Sequence, residues 1–136
     1  MRTFALHLQD ALHHERVEGV ETFVGRDPSG SFGLLAGHER FMTTLVFGLS
    51  RFRCAGAAWE YLAVPGALVY FREDALVLST RRYLRDLDYG RISGLLLDQL
   101  AAEERELATI QESLHRLEGE MLRRLWKLGR SGEPAL

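Results

Sequence analysis

The last third of the chain carries the pattern that most restricts its fold. From Asp88 to Lys127 there is no proline, and the glycines are Gly90, Gly94 and Gly119 alone. Leu100, Leu107, Leu114, Met121 and Leu128 recur at intervals of seven, with Leu96, Ile110 and Leu117 between them. A heptad seam of this kind lays one apolar stripe along a helix, and the stripe needs a second apolar surface to cover it. Glu112 stands four residues before Arg116, and Glu120 four before Arg124, the order in which such pairs support a helix. Leu95, Leu96 and Leu97 widen the apolar face at its start. A hairpin of two helices breaking between Ala101 and Glu104 satisfies the seam. Neither glycine nor proline marks that break, so one long helix satisfies the same pattern.

Upstream the period is two. Phe4, Leu6 and Leu8 alternate with Ala5, His7 and Gln9, which predicts a strand with one buried face. Val17, Val20, Phe23 and Val24, interrupted at Gly19 and Gly25, predict a second short strand or a pair. Arg26 to Gly30 reads as a turn, because proline presets φ and Asp, Ser and Gly supply turn chemistry. Two short apolar runs punctuated by Gly30, Gly33, Gly37 and Gly48 then read as strand–turn–strand. Leu49 to Cys54, Trp59 to Val64, Ala67 to Phe71 and Ala75 to Thr80 follow as strands. They are separated by Ala55 to Ala58, by Pro65-Gly66 and by Arg72 to Asp74. Counted this way there are about eight strand signals, the pattern of an antiparallel sandwich or barrel. The fold class expected is therefore β + α: an N-terminal antiparallel β-sandwich, residues 1–86, then a C-terminal helical hairpin or one long helix, residues 87–130. Residues 131–136 are expected to form a frayed tail.

Composition narrows the function more than the fold. At 136 residues the chain has room for a small domain with an appended helical element, and 46% hydrophobic with 26% charged residues argues against disorder. A formal net charge of −2 offers no general field for nucleic acid or anionic lipid. The single cysteine, Cys54, excludes an internal disulfide and fits a reducing compartment. No apolar run approaches the roughly 20 residues that span a bilayer. The opening MRTFALHLQD alternates and lacks the apolar core of a signal peptide, so a soluble cytoplasmic protein is expected. His7, His13, His14, His38 and His115 are too scattered for a three- or four-ligand zinc site, and no metal is assigned. There is no Gly-x-Ser-x-Gly elbow, phosphate-binding loop or dinucleotide fingerprint, and no catalytic residue is assigned, His38 and Glu39 included.

One stretch is more specific. The run GSFGLLAGHERFMTTLVFG, with Gly30, Gly33, Gly37-His38, Thr43 to Leu45 and Gly48, resembles without a gap the signature of the epsilon subunit of F-type ATP synthase. Residues Thr3 to Gly33 run in register with that family's first strands, and the likeness extends to about residue 92. It implies a ten-stranded β-sandwich with helices after it. It also implies a non-catalytic rotor subunit of the central stalk that couples the gamma subunit to the c-ring in ion-driven ATP synthesis. Implied partners are gamma, the c-ring and, through the helices, the alpha/beta head, with no nucleic acid. The implied location is the bacterial cytoplasm, peripheral on the cytoplasmic face of the inner membrane and reaching the membrane only through the complex.

The resemblance also implies site residues. Ser29, Gly30 and Ser31 correspond to a loop that touches the c-ring, with Ser31 where well-known members carry glutamate, which leaves a hydrogen bond in place of a salt bridge. His38 and Thr43 correspond to the gamma-facing region. Arg116, Arg123, Arg124 and Lys127 correspond to basic residues that approach an acidic loop of the head and inhibit ATP hydrolysis, a contact that salt would weaken. The run Leu87-Asp88-Tyr89-Gly90-Arg91-Ile92 resembles the Leu-Asp-x-x-Arg-Ala motif with which some bacterial members hold regulatory ATP through residues equivalent to Asp88 and Arg91. Asp88 is equally a good helix N-cap. Ile92 replaces the small alanine, and Asp98 stands where ATP-binding members carry arginine, so weak or absent ATP binding is expected and no other cofactor is implied. Ala36, Arg40 and Val64-Pro65 also depart from the common pattern and suggest a divergent bacterial branch. A free-standing sandwich and coiled-coil module of an unrelated assembly is the alternative. It accounts for the seam but not for the glycine–histidine spacing.

Overall fold

The computed structural model describes residues 2–132, with side chains to residue 129. Among the described residues nine strands come first: β1 (Phe4–Gln9), β2 (His14–Asp27), β3 (Gly30–Leu35), β4 (Phe41–Leu45), β5 (Gly48–Cys54), β6 (Trp59–Val64), β7 (Ala67–Arg72), β8 (Ala75–Thr80) and β9 (Leu84–Asp86). They form one hydrogen-bonded network in the order β4-β7-β8-β1-β2-β5-β6-β9, with β3 also on β2. All pairs are antiparallel except β1 with β8, which run parallel.

The 14-residue β2 is what makes a sandwich of this sheet. At Val20 its register shifts against both neighbours: Phe4 pairs Val20 but Leu6 pairs Val17, and Cys54 pairs Val20 but Arg53 pairs Thr22. Bulges of this kind bend a strand and increase its twist. The first half of β2 thus lies with β1, β8, β7 and β4, and its second half with β3, β5, β6 and β9. The sheet curls until its β4 edge returns to the end of β2, where the Val46 N–H donates to the Arg26 carbonyl at 3.0 Å. Inside the curl lie Leu6, Leu8, Phe23, Phe52, Leu62, Phe71, Leu76 and Leu78, all buried. Gly25 is set by this packing, since a Cβ there would stand 2.8 Å from Leu45 Cδ2 and 2.9 Å from Phe32 Cζ.

On β6, three consecutive residues, Leu62, Ala63 and Val64, are buried, which a strand achieves only when both its faces are covered. The outer cover is helical. Asp88 caps α1 (Tyr89–Leu95), its side chain accepting from the Arg91 N–H at 3.0 Å. Ile92 and Leu100 are buried with Ala63, and Leu49, Tyr61, Leu84 and Leu96 pack around them. Between α1 and α2 (Ala101–Gly132) lies one π-helical stretch, Leu96–Leu100. No non-helical residue interrupts the run from Tyr89 to Gly132. Of the two arrangements compatible with the heptad seam, the structure has the single long helix, and no break occurs at residues 101–104. The irregularity is the π stretch just before them.

The chain divides into two compact units, Met1–Ala101 and Ala102–Leu136. In the second, Leu107, Ile110, Leu114, Leu117, Met121 and Leu128 are exposed along one side of α2. Residues 133–136 of the tail expected to fray lie outside the described residues. No described helix is long and apolar enough to cross a membrane.

Candidate interaction surface

Three of the residues singled out in the sequence meet around a fourth that was not. Asp27 ends β2, and its Oδ1 accepts from the Ser29 N–H at 2.9 Å and from the Ser29 hydroxyl at 2.5 Å. Its Oδ2 accepts from the Thr43 hydroxyl at 2.8 Å. The carboxylate therefore ties the β2–β3 turn, Ser29 and Gly30 included, to β4. These hydrogen bonds, led by the Ser29 hydroxyl and then Thr43, hold the Asp27 carboxyl below the usual carboxylate range. Asp27-Pro28-Ser29-Gly30 carried the signal, since an aspartate that bonds the backbone two residues on is a common turn former. Ser29 and Ser31 are exposed at the surface of this turn.

His38 lies beyond the other end of β3. Its Nδ1 donates to the Glu39 carbonyl at 2.8 Å, and its ring stands edge-on to Phe41 at 5.6 Å and Phe71 at 5.9 Å. The turn before it is held from across the sheet: the Gly37 N–H donates to Asp74 Oδ1 at 2.6 Å, while Arg2 pairs with Asp74 Oδ2 at 3.0 Å. Gly37 has φ +84, a conformation that glycine adopts without penalty. His38 is thus an exposed ring on an aromatic base, separate from the Asp27 turn.

Between these two points β4 presents an outer face that sequence reading missed. Met42 pairs with Tyr70, Tyr70 with Val77 and Val77 with His7 in one cross-strand row. Thr44, Leu68, Ser79 and Gln9 form the next. From β4 to β1 neither row holds a carboxylate, lysine or arginine (the first meets Arg16 only on β2), and Met42 is 62% and Leu68 46% exposed. Alternation along β4 and β7 was the available signal, but without the pairing it could not show that both strands turn apolar residues outward.

At the start of the helix, Arg91 Nε pairs with Asp86 Oδ2 at 2.8 Å, and Asp86 Oδ1 accepts from the Asp88 N–H at 2.9 Å. That backbone bond, followed by Arg91, holds the Asp86 carboxyl below its ordinary range. Asp88 is engaged as the cap and Ile92 is buried. A further network, also missed, joins β9 to the sandwich. Arg85 pairs with Glu60 and, at 2.8 Å, with Glu15, which in turn accepts from the Tyr83 hydroxyl at 2.5 Å. Burial, then the bond to Glu15, raises the Tyr83 phenol above its ordinary range. On α2, Arg116, Arg123, Arg124 and Lys127 are exposed, and the 3.6-residue period puts Arg116, Arg123 and Lys127 in one stripe opposite Leu107, Leu114 and Met121. Among the described residues no group of three His, Cys, Asp or Glu side chains is placed to hold a metal ion.

Comparison with known proteins gives this surface its context. Residues 11–86 match the family "ATP synthase, Delta/Epsilon chain, beta-sandwich domain". ATP synthase epsilon chain 2 of Cereibacter sphaeroides is 28% identical over 111 residues, 81% of this chain and 76% of that one. Among solved structures, a chain of the Euglena gracilis mitochondrial ATP synthase superposes with a TM-score of 0.56 at 18% identity, covering 68% of this chain and 60% of that one. A chain of the Tetrahymena thermophila mitochondrial ATP synthase, from its central stalk and c-ring, gives 0.53 at 9% identity, covering 61% and 66%. At these identities the two structures speak for the fold.

Proposed function

The chain belongs to the ATP synthase delta/epsilon chain family, and from that premise we propose that it works as the epsilon subunit of an F-type central stalk, joining gamma to the c-ring. The observation that carries this reading is the span of the family match, which runs from β2 to β9 and so takes in every strand but the first. The subunit is non-catalytic. Its work is mechanical: a stiff sandwich transmits torque only when its contacts are fixed, and the hydrogen bonds converging on Asp27 and Asp74 fix the two turns concerned.

In this reading Ser29, Gly30 and Ser31 meet the polar loops of the c-ring, Ser31 by hydrogen bonding. The uncharged face of Met42 and Leu68, with Thr44, Ser79 and Gln9 in the same rows, receives gamma, because an apolar patch rimmed by polar groups is the usual mark of a protein interface, and Thr43 and His38, on the other face of β4, extend the contact around its edge. The basic stripe of Arg116, Arg123 and Lys127, with Arg124 beside it, pairs with acidic groups of the alpha/beta head and restrains ATP hydrolysis. Regulatory ATP binds weakly or not at all, a view supported by the engagement of Arg91 with Asp86 and the burial of Ile92. The subunit sits on the cytoplasmic face of a bacterial inner membrane by way of the complex.

Reconstitution tests the reading. Purified chain added to an F-type complex stripped of its epsilon subunit restores ATP-driven ion pumping. Met42→Asp with Leu68→Asp abolishes the restoration while leaving the chain folded. Failure of the unaltered chain to bind the stripped complex would overturn the proposal.

A further inference from the structure

On the opposite side of the sandwich from the Met42 face lies a cleft of about 300 Å³, lined by parts of β2, β3, β5, β6 and α1. Pairing places its groups: Arg26 lies across from Ser31, and Arg51 stands between Val24 and Tyr61. Ser50, 5% exposed, also borders it, on the core-facing side of β5 that it shares with Phe52. Tyr89, the first residue of α1, forms a wall, its ring edge-on to Tyr61 with centroids 5.3 Å apart. The lining holds two arginines and no acid.

We propose that this cleft binds a phosphoryl group, carried by a small phosphomonoester or by a lipid headgroup. The charges carry the argument. Arg26 makes no ion pair among the described residues, and Arg51 is stacked on Trp59 at 4.6 Å and likewise meets no carboxylate among them. Acids on neighbouring elements are engaged elsewhere: Asp27 with Ser29 and Thr43, Asp86 with Arg91, Glu60 with Arg85. Two unpaired guanidinium-bearing residues bordering one acid-free concavity favour an anion there, and guanidinium suits phosphate because its planar donors bind two oxygens at once. Ser31, across from Arg26, and the two tyrosines are further hydroxyl-bearing residues of the lining, so the remaining phosphate oxygens need not stay unsatisfied. Two surface arginines serving only solubility would not require the hydroxyl-bearing, acid-free concavity between them. The cleft goes beyond the rotor reading, with which it shares Ser31 alone, and binding to it is measured on the isolated chain.

The test uses the full chain labelled with nitrogen-15. Inorganic phosphate and glycerol 3-phosphate are titrated separately, and co-sedimentation is measured with phosphatidylcholine vesicles, with and without phosphatidic acid. We expect saturable shifts at the amides of Val24, Arg26, Leu49 and Arg51, with a dissociation constant of about 1 mM or lower. Arg26→Gln combined with Arg51→Gln weakens binding by about tenfold or more, as loss of charge-assisted hydrogen bonds requires. Arg105→Gln, an exposed change on α2, leaves it unaltered. Saturable binding of the free esters alone assigns a soluble ligand, and retention on phosphatidic acid vesicles that the double variant loses assigns a headgroup. Non-saturating shifts, or binding that the double variant retains, together with no variant-sensitive vesicle retention, would overturn the proposal.

Discussion

Replacing Ile92 with alanine separates two roles for the first turn of the helix. Ile92 is wholly buried, packed with Ala63 and Leu100 and bordered by Leu49, Tyr61, Leu84 and Leu96. Each lost methyl or methylene group removes about 0.8 kcal/mol of burial. The space left behind adds roughly 24 cal/mol for each Å³ that does not collapse. Together these give about 3 kcal/mol, within the range usual for Ile→Ala in a core. The loss falls on the attachment of α1 and the π stretch, because the main core on the inner face shares none of these three buried residues. Local opening should therefore change more than global unfolding does. At 1.4 kcal/mol per factor of ten, amide exchange at residues 94–100 should accelerate about 100-fold. Amides of β1 and β8 should change far less. Arg91→Ala is the comparison: its guanidinium is exposed and paired with Asp86, a contact worth at most about 1 kcal/mol. Exchange at residues 94–100 within about threefold of the unaltered chain in Ile92→Ala would refute the assignment of Ile92 as the anchor.

Three further outcomes are expected. Gly25→Ala, whose new Cβ would sit 2.8 Å from Leu45 and 3.0 Å from Phe23, should lower stability by about 1–3 kcal/mol, read from the urea midpoint. Asp27→Asn tests linkage: the folded-state pKa of Asp27 lies below its ordinary value of 3.8, so its contribution is present above that value and is lost as pH falls through the lower folded value. Acid unfolding should accordingly be shallower below about pH 4 in the variant, and an identical acid limb would contradict the Asp27 network. Truncation after Ala101 keeps Ile92 and Leu100 in place, whereas truncation after Asp86 bares Ala63. The longer fragment should still assemble, and ATP hydrolysis by the complex should rise; equal rates would remove the inhibitory role of α2.

Much of the fold was legible because its signals are local. Trp59 to Val64 and Ala75 to Thr80 were readable to the residue, since Pro65-Gly66 and Glu73-Asp74 bound them in the sequence and in space. The heptad seam announced helix but left a hairpin and one long helix equally open, and Leu95 to Leu97 gave no sign that the helix would widen into a π stretch at Leu96. Gly19 and Gly25 suggested a break in β2. The strand instead runs through both, bulged beside Gly19 and packed tightly against Leu45 and Phe32 at Gly25. Three-residue β9 is too short for any period to show, and its place depends on Arg85 reaching Glu60 and Glu15, residues 25 and 70 positions away. The same distance problem hid the surface. Ser29, Gly30 and Thr43 were marked by family likeness and Asp27 by its turn, whereas the bond from Thr43 to Asp27 that joins them and the Met42 face needed the tertiary fold to be seen.

A rotor subunit is defined by the proteins it accompanies, and co-purification identifies them. The tagged chain is recovered from detergent-solubilised membranes of its source organism, and the proteins that accompany it are identified by mass spectrometry. Gamma, alpha, beta and the c-ring subunit are expected together, with Met42→Asp plus Leu68→Asp losing all of them. Recovery of a different assembly lacking those subunits would leave the sandwich and its helix as described and contradict the rotor function.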